Sequence, residues 1–224
     1  MCIFFYREPS VVRHLTNVYI TFIVAILLAL LGLHLHLNDI IVAGPLTVIA
    51  AFIAILIMIF ILLETRTNQL QRFCSFYIVA LLWGINMGLV VEEKENLDIF
   101  EHALVSTIIC FTGITMSALL SPTRYYLGSF IYSALLTLFY LEFVNVFLQS
   151  RFIFKFGLHI GLWLYCIYVF DHTQNIVEGI QKGNTDYVCH ALGIFVIFME
   201  ILERIYKIFK EKKDSKKKNK KEEE

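Results

Sequence analysis

The sequence predicts an all-α bundle embedded in a membrane: six transmembrane spans plus a re-entrant or seventh C-terminal helix. Three observations carry that expectation. Of 224 residues, 58% are hydrophobic, 15% aromatic and only 17% charged, with a mean hydropathy of +0.70, far more apolar than a soluble domain. The apolar residues fall into segments near the roughly 20-residue length that crosses a bilayer, separated by short polar breaks. Unpaired backbone groups are too costly in lipid, and no array alternates at the strand period, so the segments are read as helices.

The first 14 residues carry Arg7 and Arg13 and lack a short apolar core with a small-residue cleavage site, so no removable signal is expected and the first span directs insertion. Segments are placed at residues 15–37, 41–63, 73–91, 102–120, 127–149, 152–170 and 187–209. The breaks contain Asn38 and Asp39, a polar stretch ending at Arg72, the acidic run at 92–101, Ser121 to Arg124, Ser150 with Arg151, and a longer stretch from His172 to Asp186. This divides the chain into an N-terminal cytosolic segment (1–14), a helix bundle (15–209) and a lysine-rich tail (210–224). Cys74, Cys110, Cys166 and Cys189 lie in apolar runs without metal-ligand spacing, so neither a disulfide framework nor a zinc site is expected.

Lysine and arginine in short loops mark the cytoplasmic side. With a cytosolic N-terminus and seven full crossings, the inside would hold only Arg7, Arg13, Arg66, Arg72, Arg124 and Lys182 of nineteen basic residues. If segment seven enters and returns, or lies partly in the interface, only Lys94, Arg151 and Lys155 remain outside. That arrangement, with both termini cytosolic, is the preferred one; seven crossings from an outside N-terminus is the second. His190, Gly193, Glu200 and Arg204 share one face of segment seven at steps of three and four.

The run Tyr168-Val169-Phe170-Asp171-His172-Thr173-Gln174-Asn175, followed by Gly183 to Leu192, resembles the Bax-inhibitor family. Arg72 before Gly84, Gly88 and Glu92 is similar to that family's third span, and Thr115-Met116-Ser117-Ala118-Leu119 with Arg124 to its fourth. Asn17-Val18-Tyr19, Asn145-Val146-Phe147 and the lysine tail extend the likeness over nearly the whole chain. The resemblance implies an endoplasmic-reticulum membrane protein that restrains cell death, tempers ER stress responses and lowers the lumenal calcium load. It implies a pH-sensitive calcium leak, contacts with Bcl-2-type proteins and ER stress sensors, or both. It also implies that Arg72 holds an acidic partner when the pore is closed; charge alone makes Arg72 a positive-inside anchor.

In that family the leak is gated by paired aspartates on the last two segments. Here His172 precedes Thr173-Gln174 and Ile197 occupies the second position. Asp171 lies one residue away, a turn of about 100° on a helix. The nearest acid on the second face is Glu200, within i, i+4 reach of Arg204. Two close carboxylates share a proton because both cannot ionise cheaply, and calcium favours carboxylate oxygens. The expectation is therefore a leak that is lost or retuned, with a protein-binding role retained.

Glu142 stands out among the acids within spans, about four residues or roughly 6 Å from the centre of its segment. Its candidate roles are a proton or ion pathway, or a protonated side chain bonded to a neighbouring helix. His159 is the candidate partner across adjacent helices, against the plainer reading of a hydrogen-bonded packing histidine. Gly157 and Gly161, four apart, fit a close helix crossing. Arg72, Glu142, His159, Asp171, His172 and Glu200 are thus the gating or ion-pathway candidates. Lys212, Lys213, Lys216, Lys217, Lys218, Lys220 and Lys221 are candidates for contact with anionic lipid or a partner, worth about 1 kcal/mol each near a membrane surface. No catalytic residue, metal site, cofactor or nucleic-acid partner is expected, since no nucleophile elbow, HExxH spacing or phosphate loop is present. An ion or proton leak through Glu142 and a seven-helix receptor are the alternative functions.

Overall fold

The computed structural model describes residues 9–41, 44–64, 68–91, 96–121, 125, 127–183 and 186–222, without the side chains of residues 9, 59, 62–64 and 216–222. They form seven helices: α1 (Pro9–Leu37), α2 (Pro45–Glu64), α3 (Gln69–Val91), α4 (Leu97–Leu120), α5 (Gly128–Leu148), α6 (Arg151–Gln181) and α7 (Tyr187–Glu222). Among the described residues there is no strand. Five helices (α1, α3, α4, α5 and α6) are long and apolar enough to cross a membrane, and the described part of α2 adds a shorter apolar helix, Pro45–Met58. The protein is therefore a polytopic membrane helix bundle.

The ends of α6 and α7 lie furthest from the sequence reading. The long break at 172–186 is mostly helix: α6 continues to Gln181, because nothing in Thr173 to Glu178 breaks a helix. The chain turns only at Gly183, whose φ of 86° suits a residue without a Cβ. The lysine-rich tail is likewise helical to Glu222, since lysine and glutamate are good helix formers. Of the two forms open to segment seven, the backbone takes the unbroken helix, with no reversal inside it. It is not among the five span candidates, carrying Glu200, Glu203 and Arg204 within its apolar half.

The chain divides into two compact units. One comprises the described residues of 9–97 and 180–195. Within it, Val11, Leu15, Val18, Phe22, Ala25, Ala29 and Leu33 recur at steps of three and four along α1 and are all buried, the stripe of a helix packed on one face. Ile20, Ile23, Leu27 and Leu31 lie on the opposite face and are exposed, as suits lipid. α3 packs against both α1 and α2. Gly84 makes the α1 crossing close, since a Cβ there would meet the Ala29 backbone, the use membrane helices make of small residues. Across the α2–α3 contact, the Thr47 hydroxyl donates to Asn86 Oδ1 at 2.9 Å, and Asn86 Nδ2 donates back to the Thr47 carbonyl at 3.3 Å.

The other unit comprises the described residues of 98–179 and 196–222. Phe198, Ile201, Leu202, Ile205 and Tyr206 of α7 are buried there. Phe198 meets Phe111 of α4 edge to face at 5.5 Å, and Tyr206 lies 6.3 Å from Phe100. α5 buries only Ile131 and Leu138. Most of its other apolar side chains, including Phe139, Phe143 and Phe147, are exposed, a surface suited to hydrocarbon.

Two buried arginines and a mixed-charge cavity

Arg72 sits in the first turn of α3, only 5% exposed. Its guanidinium donates to Asp186 Oδ2, forming a salt bridge between side chains 6% and 28% exposed. Asp186 immediately precedes α7, and its Oδ1 accepts from the Cys189 backbone N–H at 3.2 Å. This is the arrangement of a helix N-cap, where a short acid satisfies an otherwise unpaired amide. One carboxylate therefore both starts α7 and neutralises Arg72. Around it, His14 and His190 approach at 3.2 Å between ring nitrogens, and the Tyr187 hydroxyl donates to Gln69 Oε1 at 3.3 Å.

Arg204 lies inside α7 and is 6% exposed. Its Nη2 donates to Glu142 Oε1 of α5 at 2.8 Å, and its Nη1 to the Gly157 carbonyl of α6 at 3.1 Å. Glu200, one turn earlier on α7, approaches at 3.9 Å. The cation also lies 5.1 Å from the Tyr165 ring centroid, within cation–π range. Gly161 has no Cβ, and one there would collide with this guanidinium. The small residues at 157 and 161 thus seat an arginine.

A cavity of about 360 Å³ opens beside this cluster, its polar wall made by Glu142, Asn145, Glu200, Glu203, Arg204 and Lys207. Lys207 pairs with Glu203 one turn away, and Lys155 of α6 pairs with Glu211 of α7 at 2.6 Å. Val146, Phe154 and Leu158 supply apolar wall.

Among the candidates from sequence, the structure joins Glu142 and Glu200 through Arg204 and gives Arg72 an acidic partner. His159 does not partner Glu142: it is exposed, and its Nδ1 donates to the Lys155 carbonyl of its own helix at 2.8 Å. The arginine provides both charge and reach, and it takes the position expected of the histidine. Asp171 is 4% exposed and accepts from Asn175 Nδ2 at 2.7 Å. His172 stacks its ring edge to face on Tyr168 at 5.7 Å. Ile197 is 2% exposed. Lys212 and Lys213 lie on the C-terminal part of α7. Glu92, Arg124 and the side chains of Lys216, Lys217, Lys218, Lys220 and Lys221 fall outside the described residues.

Asp186 and the clamping role of Arg204 were not anticipated. The first had a legible signal, a short acid just before an apolar helical run. The second had none: Glu142 and Arg204 are 62 residues apart, and only folding reveals that they meet.

The chain matches the family model described as inhibitor of apoptosis-promoting Bax1 over residues 11–214. It is 31% identical over 208 residues to Bax inhibitor 1 of Homo sapiens, covering 88% of this chain and 85% of that protein. It is 32% identical over 201 residues to Bax inhibitor 1 of Arabidopsis thaliana, covering 87% and 79%, and 32% identical over 203 residues to that of Oryza sativa subsp. japonica, with the same coverage. These matches along almost the whole sequence place the chain in the Bax-inhibitor family.

Proposed function

We propose that the protein is a non-enzymatic, multi-pass regulator of the endoplasmic-reticulum membrane that restrains Bax-driven cell death and modulates ER calcium and stress responses. The observation that carries this reading is the family match over residues 11–214, shared with relatives named for inhibiting Bax. Membrane lipids, Bcl-2-type proteins and ER stress sensors are its proposed partners. Both termini are assigned to the cytosol on the distribution of lysine and arginine. Co-expression with Bax in yeast tests the reading. Cells should survive Bax induction when the chain is present, and death unchanged despite correct membrane insertion overturns it. A glycosylation tag placed after Glu224 should stay unmodified.

A second reading concerns calcium. His172 and the buried Ile197 stand where the resemblance puts a pair of aspartates, and Asp171 is engaged by Asn175. A calcium leak in this protein is therefore lost or retuned. Calcium efflux from liposomes between pH 5 and 8 should be weaker, or shifted in pH, relative to an aspartate-bearing relative. Equal efflux overturns the reading. If efflux follows pH in the parent and vanishes in Glu142→Gln, the leak runs past Glu142 instead, the alternative that this intramembrane acid supports.

A further inference from the structure

The cavity beside Arg204 has the size and character of a ligand site that neither charge pairing nor packing accounts for. Its volume of about 360 Å³ lies within the range of small-molecule pockets and equals about twelve water volumes in the liquid. Three carboxylates, from Glu142, Glu200 and Glu203, face two cations, from Arg204 and Lys207. The pairs are unequal. Glu142 holds Arg204 at 2.8 Å, and Glu203 holds Lys207 directly. Among the described residues, the ion pairing of Glu200 is the 3.9 Å approach to a guanidinium already engaged by Glu142. Glu200 also takes a hydrogen bond from the Tyr165 hydroxyl, so it is the carboxylate of the three without a cation of its own, on a side chain 29% exposed that lines the partly apolar chamber.

A carboxylate in such surroundings favours a cationic partner. The described residues contain no group of three or more histidine, cysteine or acidic side chains that could hold a metal ion, and calcium asks for six to eight oxygens. An ammonium group asks for less, since three N–H donors are satisfied by one or two carboxylates and the second lone pair of the Asn145 side-chain carbonyl, whose first accepts from the Ser150 N–H at 2.9 Å. The apolar wall formed by Val146, Phe154 and Leu158 suits a hydrocarbon body attached to that head. Position agrees with this chemistry. Glu142 and Asn145 lie in the last two turns of α5, and Ile153 and Phe154 in the first turn of α6, the ends of two apolar helices, where lipid headgroups meet hydrocarbon.

We propose that this cavity binds a primary ammonium carried on an apolar body, with Glu200 as its counter-ion. Two sources offer that chemistry: the ethanolamine headgroup of a phospholipid, and a soluble alkylamine. The inference is independent of the Bax reading.

The test uses the full chain in phosphatidylcholine nanodiscs titrated with hexylamine, with hexanol as the uncharged control and the thermal unfolding midpoint as readout. Hexylamine should raise the midpoint saturably, hexanol should not, and Glu200→Gln should weaken the apparent affinity about tenfold or more through loss of a charge-assisted hydrogen bond. Val146→Trp, at a position 70% exposed, narrows the cavity without removing a charge and should also weaken binding; it decides the matter if Glu200→Gln does not fold. Native mass spectrometry after mixing in phosphatidylethanolamine separates the sources. Retention of that lipid, lost in Glu200→Gln, assigns the site to a headgroup, whereas an amine response without lipid retention assigns it to a soluble amine. Equal responses to hexanol and hexylamine, no saturable amine response, or unchanged affinity in both variants overturn the proposal.

Discussion

Among the described residues, each unit buries one arginine, and the two are held in different ways. Arg72 stands at the start of α3 and faces one acid, Asp186, at the start of α7. Arg204 stands inside α7 and is gripped from α5 by Glu142, from α6 by the Gly157 carbonyl and the Tyr165 ring, and from its own helix by Glu200. The first is a pair between helix ends, where water can share the work of solvating charge. The second is a clamp on a helix interior, where the protein must supply most of that solvation itself. A cation within a helix is thus held by several partners, and one at a helix terminus by a single well-placed acid.

The strongest test of that contrast removes each arginine in turn. Arg204→Ala deletes the ion pair, the carbonyl bond, the aromatic contact and the packing of the side-chain stem. The expected cost is about 3 kcal/mol, toward the low end for breaking a buried pair because Glu142 is 49% exposed and partly solvated. Arg72→Ala should cost less, about 2 kcal/mol, since one acid is left without its cation. Equilibrium unfolding in mixed micelles gives both values. Equal costs would mean that the extra partners of Arg204 add nothing.

The glycines beneath Arg204 sharpen the same comparison at smaller scale. Gly161→Ala places a methyl where the guanidinium now lies and should cost about 1 to 2 kcal/mol, in the range of overpacking. Gly157→Ala, whose added carbon would sit 3.9 Å from Glu142 Cγ in ordinary contact, should stay within about 0.5 kcal/mol of the parent. In an Arg204→Ala background the Gly161→Ala penalty should largely disappear, because the two residues are coupled. A penalty that persists would place its cause elsewhere.

These two regions also show how far the sequence could be read. Apolar segment length located all seven helices, because burial in lipid leaves little choice of secondary structure. It misplaced the ends of α6 and α7, because polar residues such as Gln174 and Lys212 continue a helix as readily as they end a span. Arg72 was marked by resemblance, and its acid Asp186 carried a capping signal in the local pattern. Glu142 was marked by the cost of an acid among phenylalanines. Its partner was assigned to His159 because that residue lay on the next segment, whereas the structure brings in Arg204 from α7. Which helix faces which depends on three-dimensional packing, and no local pattern near residue 142 encodes it.

A further difference, of about 1 kcal/mol, separates the two duties of Asp186. Its Oδ2 pairs with Arg72 while its Oδ1 accepts from the Cys189 amide, so removing the side chain removes both. Asp186→Asn keeps an oxygen that can cap the helix, since asparagine and aspartate are near equals at that position, and it loses only the charge. Asp186→Ala loses cap and charge together. The alanine variant should therefore be less stable than the asparagine variant by about 1 kcal/mol, the usual worth of an N-cap. In an Arg72→Ala background the asparagine substitution should become nearly neutral, while the difference between alanine and asparagine should survive. If that difference vanishes along with Arg72, the acid matters only as a counter-ion, and the start of α7 is set by its packing and not by its cap.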